Sequence, residues 1–114
     1  MKRFAPVLSG IACLLILAGL GSAQKKQMFT GVITDSMCPT GDHSHMKMGP
    51  NDAECTKACI QEHGAQYVLY DGKSAYTLSD QTTPEKFAAQ KVTVVGTLDA
   101  KTSTIKVESI TAAK

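Results

Sequence analysis

The chain is 114 residues long with 12 basic and 10 acidic side chains, a size that fits one small domain with a modest core rather than two. Arg3 is its single arginine, tryptophan is absent, and the lysines are scattered along the chain. Nucleic-acid binding calls for a basic face and for arginines that fork onto phosphate, so that class of partner is set aside.

Lys2 and Arg3, an apolar run over residues 7–20 and the small residues Gly21-Ser22-Ala23 read as a signal peptide spanning 1–23. The run is too short for a membrane span. Gly-Ile-Ala-Cys, ending at Cys13, has the outline of a lipobox, but more apolar residues follow that cysteine, so Cys13 is expected to leave with the signal. The mature chain, 24–114, is then a single exported domain, periplasmic or extracellular, with no stable membrane anchor. Its ten remaining lysines balance its ten acidic residues. An oxidising compartment permits disulfides, yet the three mature cysteines, Cys38, Cys55 and Cys59, cannot all pair within one chain.

Residues 28–34 are rich in β-formers and predict a first strand, with Gly31 marking a bulge or tight bend. Residues 35–50 turn to Asp, Ser, Gly, Pro, His and Met without apolar periodicity, a long loop of the kind that is functional or disordered. A short helix follows, capped by Asn51 with Glu54 three residues later and stopped by Gly64. On it Cys55, Cys59 and His63 form one stripe that drifts about 40° per step, with Ala58 and Ile60 off the stripe and available to the core. Residues 67–70 and 73–78 flank Asp71-Gly72 as a hairpin of the type I′ kind. Thr83 and Pro84 begin a brief helix over 83–90. Two more strands span 91–98 and 104–110. The expected fold is mainly β, a small five-stranded OB-like barrel with one or two short helices; the alternative is an open β-sandwich. A loop-helix insertion, about 35–64, follows the first strand, and function is expected there because so common a fold names no chemistry.

That insertion gathers Cys38, His43, His45, Cys55 and Cys59, with His63, Met46 and Met48 as possible additional ligands and Met37 nearby. Sulfur and imidazole donors suit zinc or copper rather than magnesium or calcium. Zinc takes four N or S donors at about 2.0–2.3 Å, and cysteines one helical turn apart can both reach one ion. Cys38 with His43 or His45 would complete the shell. The methionine thioethers favour Cu(I), although a single methionine in a loop more often fills gaps or faces solvent.

A disulfide is the structural alternative. Cys55 and Cys59 stand about 5–6 Å apart at Cβ in a regular helix, beyond the ~3.5–4.5 Å that a disulfide needs. Cys38 would then pair with one of them, stapling an interaction domain and leaving a spare thiol. Catalysis is not expected. A Cys59–His63 nucleophilic pair has no orienting group or oxyanion site that can be named. A redox-active thiol protein ranks third, since Cys-x-x-Cys and a βαβ pattern are both missing. Asp35 and Ser36 are read as strand-ending turn residues, with a ligand role for Asp35 the lesser alternative. Tyr67, Tyr70 and Tyr76 are read as core and cross-strand packing.

The string Gly31-Val32-Ile33-Thr34-Asp35-Ser36-Met37-Cys38, a histidine after it, Cys55-Thr56-Lys57-Ala58-Cys59 and Gly64-Ala65-Gln66-Tyr67-Val68-Leu69 resembles a group of small exported bacterial proteins of unknown function. The likeness continues into the strands at 91–98 and 105–107. It brings no activity with it; it implies that Cys38, Cys55 and Cys59, with His43 or His45, occupy the group's Cys and His positions, while His63 and the methionine-rich string are particular to this chain. The expectation from the sequence is a non-enzymatic exported module holding zinc or copper.

Overall fold

A computed structural model describes residues 25–45 and 47–113; the expected signal peptide with Cys13, and Met46, lie outside them. Five strands form a closed barrel: β1 (Gln27–Asp35), β2 (Tyr67–Tyr70), β3 (Ala75–Leu78), β4 (Lys91–Asp99) and β5 (Thr104–Ala112). Their order around the ring is β1-β2-β3-β5-β4, closing on β1. Neighbours are antiparallel except β3 and β5. The OB-like expectation holds, and closure of the ring excludes the open sandwich.

β1 closes the ring by serving two neighbours. Its first part, Gln27 to Val32, pairs with β4, and Val32 to Asp35 pairs with β2. Gly31 sits at this handover, where a Cβ would collide with the Tyr70 carbonyl; the expected bend is a site of close backbone approach. The inward residues Ile33, Leu69, Leu78, Val92, Val94 and Ile105 are fully buried, and Tyr67 joins them. Phe29 and Tyr76 pack at the edge of this core with ring centroids 5.8 Å apart.

The hairpin between β2 and β3 is present, but its turn is not type I′. Tyr70 faces Ala75, so four residues rather than two make the loop. Asp71 keeps a negative φ because its carboxylate accepts the amides of Lys73 (2.8 Å) and Ser74 (2.7 Å), and these local bonds fix a wider turn. The helix expected over 83–90 is a shorter 3-10 helix, Thr83–Phe87.

Among the described residues the one α-helix, α1 (Asp52–His63), lies between β1 and β2 in sequence and contacts β1. Its boundaries follow from its caps. The Asn51 side chain accepts the Glu54 amide at 2.9 Å, and Gly64 takes the left-handed conformation (φ 68°), donating its amide to the Cys59 carbonyl, as a C-terminal stop requires. Cys55, Thr56 and Cys59 are the buried residues of this helix, while Ile60 is half-buried against the barrel core. Among the described residues no helix is long and apolar enough to cross a membrane.

Candidate metal centre

The centre is built around Asp35, the last residue of β1, which is fully buried. A buried carboxylate must be satisfied on both oxygens. One, Oδ1, accepts the backbone amides of Met37 (3.0 Å) and Cys38 (2.9 Å). The other, Oδ2, lies 2.8 Å from Nε2 of His43, itself 4% exposed. The turn that carries Cys38 is therefore wrapped around the carboxylate. Further bonds hold it there: the Thr34 hydroxyl and the Gly41 amide both donate to the Cys38 carbonyl, at 2.9 and 2.8 Å. Ser36 and Gln66 latch the turn to the start of β2, Ser36 N donating to the Gln66 carbonyl (2.9 Å) and Gln66 N to the Ser36 hydroxyl (3.0 Å).

Asp35, Cys38 and His43 each place a donor atom within 4.8 Å of the others, a group able to hold a metal ion. Tetrahedral donors around zinc stand roughly 3.3–3.8 Å apart, given bonds of about 2.0–2.3 Å. Closing on an ion would thus take shifts of about 1 Å, and the hydrogen-bonded Asp35–His43 pair would have to part slightly. Cys59, buried on α1, lies outside that three-residue group, although its thiol feels the Asp35 carboxylate and Cys38.

The two inner thiols sit in an environment that favours their protons. Burial and then the negative Asp35 carboxylate raise Cys38 above the ordinary thiol range, and the same two causes in the same order push Cys59 up to about 11. A carboxylate beside buried thiols keeps them neutral, whereas a bound dication would reverse the field and take them as thiolates.

Cys55 has a different set of contacts. Its sulfur accepts the Gly49 amide (3.2 Å) and donates to the Gly49 carbonyl (3.3 Å), fastening the far end of the loop to the helix. Cys38, Cys55 and Cys59 are all free thiols, so the disulfide expected as the alternative is not formed. His45 and His63 are exposed and are not brought to the group. His63 leaves the buried stripe because it sits at the end of α1, one turn beyond Cys59. Met48 is half-buried and Met37 is 41% exposed. An open cleft of about 380 Å³ between the loop and the start of α1, lined by Asp42, His43, Asp52 and Cys55, offers a route inward.

Asp35 is the member that the sequence reading placed among turn formers. Its signal was present: an acidic residue ending a strand, three positions before a cysteine. No known protein family, curated protein or solved structure matches the chain.

Proposed function

We propose that the protein is an exported, non-enzymatic module that holds one zinc or copper ion on its loop-helix insertion, through Asp35, Cys38, His43 and Cys59. The observation that carries this reading is the convergence of carboxylate, thiol and imidazole within 4.8 Å at a buried point where the three thiols are free. With Cys59 added to the three-residue group, four protein donors would leave no position open for a substrate water, the pattern of a structural or storage site rather than a catalytic one. Oxygen, nitrogen and sulfur together suit zinc first; copper would gain most from the methionine thioethers. Cys55 supports the site by holding Gly49 to the helix.

Cobalt(II) added to the reduced protein tests this reading. One equivalent should produce a thiolate charge-transfer band that zinc abolishes by displacement. The band should be lost in Cys38→Ser and in Cys59→Ser, and kept in His45→Ala and His63→Ala. Absence of the band, or a band indifferent to Cys38 and Cys59, would overturn the proposal.

A further inference from the structure

Beside His43 lies a cavity of about 50 Å³ lined by Ile33 and Thr34 of β1 and by Ala89, with Asp52 and Thr56 of α1. Two polar atoms line it without a hydrogen-bond partner among the described residues, Nδ1 of His43 and the hydroxyl of Thr56. Both residues are buried, at 5% and 1% exposure, and buried polar groups in folded proteins are almost always paired. The nearest charged group, Oδ1 of Asp52, stands 3.4 Å from Nδ1, beyond good hydrogen-bonding distance.

Proton bookkeeping decides what fits between them. When His43 donates from Nε2 to Asp35, neutral imidazole presents only a lone pair at Nδ1. In that tautomer the Asp52 carboxylate, which also presents only lone pairs, cannot bond Nδ1 directly. A water can, giving one hydrogen to Nδ1 and the other to Asp52 while accepting the Thr56 hydroxyl proton. If an ion takes Nε2, the proton moves to Nδ1, and the same water turns to accept it. The cavity exceeds the ~10–15 Å³ that one water needs, and its polar partners are of the number a buried water requires.

We infer that this cavity binds an ordered water joining His43 Nδ1, Thr56 Oγ1 and Asp52, and that Thr56 acts through it as a positioning residue for His43. The water site stands on the cavity alone, whereas its consequence for metal binding rests on the function proposed above. Ligating histidines are ordinarily held by a partner on the second ring nitrogen, and loss of that partner weakens metal affinity by roughly 10- to 100-fold.

The experiment is done first on the metal-free protein. Nitrogen-15 NMR of the His43 ring and water-to-protein Overhauser effects should show Nε2 bonded to Asp35 and Nδ1 bonded to a long-lived water beside Thr56. Thr56→Val, which replaces the hydroxyl by a methyl of like size, should move the Nδ1 resonance and remove the water signal; Thr56→Ser should restore both. Zinc added afterwards should bind Thr56→Val ~10- to 100-fold more weakly than Thr56→Ser. A dry cavity would overturn the inference, as would a direct hydrogen bond from Nδ1 to Asp52, or a His43 ring indifferent to Thr56→Val. Should Thr56→Val fail to fold, the wild-type hydration and ring measurements still decide. A protein that shows the water and refuses both zinc and copper contradicts the proposed function alone; one that takes zinc over a dry cavity contradicts this inference alone.

Discussion

Inside the barrel the fully buried residues are Ile33, Leu69, Leu78, Val92, Val94 and Ile105, whereas the insertion buries Asp35, His43, Thr56, Cys55 and Cys59. The first set is held by non-directional burial of apolar area, which tolerates small shifts. The second is held by polar contacts whose distances and partners must be right. α1 has no apolar core of its own and leans on β1. The contrast teaches that the barrel is a scaffold able to hold its shape unaided, and that the insertion depends on the groups meeting at Asp35.

The largest effect should follow from damaging the scaffold. Leu69→Ala removes a fully buried side chain from the barrel core and is expected to cost about 2–5 kcal/mol. Denaturant unfolding should show the barrel and the insertion losing stability together; an insertion that unfolds separately while the barrel keeps its midpoint would contradict the division.

A smaller, local effect is expected at the junction. Asp35→Asn keeps an oxygen for the Met37 and Cys38 amides but removes the charge facing His43, at an expected cost of about 1–3 kcal/mol. Hydrogen exchange should quicken in α1 and in the turn around Cys38 and stay slow in β2 and β4. Uniform quickening across the barrel would mean that Asp35 serves the whole domain rather than the insertion.

The barrel was legible in the sequence because each strand carries its own pattern and each turn its own punctuation. Asn51, Glu54 and Gly64 marked the helix for the same local reason. The site was only half legible. An aspartate that ends a strand is an ordinary turn former, and Asp35 is one, since Oδ1 caps two amides; its second role uses Oδ2, and the only local mark of that is a cysteine three positions on. His43 and His45 cannot be told apart by spacing, because the loop's path depends on contacts between residues thirty positions apart, Ser36 and Gln66. The hairpin turn was misread for a related reason. Asp-Gly suits a type I′ turn, but the Asp71 carboxylate binds the next amides and widens it.

The smallest effect lies far from the site and concerns acid stability. The Thr83 hydroxyl and amide, with the Thr82 amide, hold the Asp80 carboxyl below its ordinary value of 3.8. Because the folded state lowers this value, the stabilisation is complete above the ordinary value and is lost as pH falls through it and below. Asp80→Asn should therefore lower neutral stability slightly, leave stability in strong acid nearly unchanged, and so flatten the acid limb of the stability curve. An unaltered acid limb would show that these bonds are as good with the carboxyl protonated.

Mass measurement of the purified protein under native and denaturing conditions, with thiols counted by alkylation, tests the central claim most directly. The account predicts a native mass increased by one zinc or copper ion, which denaturation releases to expose three reactive thiols in the chain from residue 24 onward. A native mass with no ion, together with a chain lighter by two hydrogens and a single reactive thiol, would contradict it and make the insertion a disulfide-stapled loop.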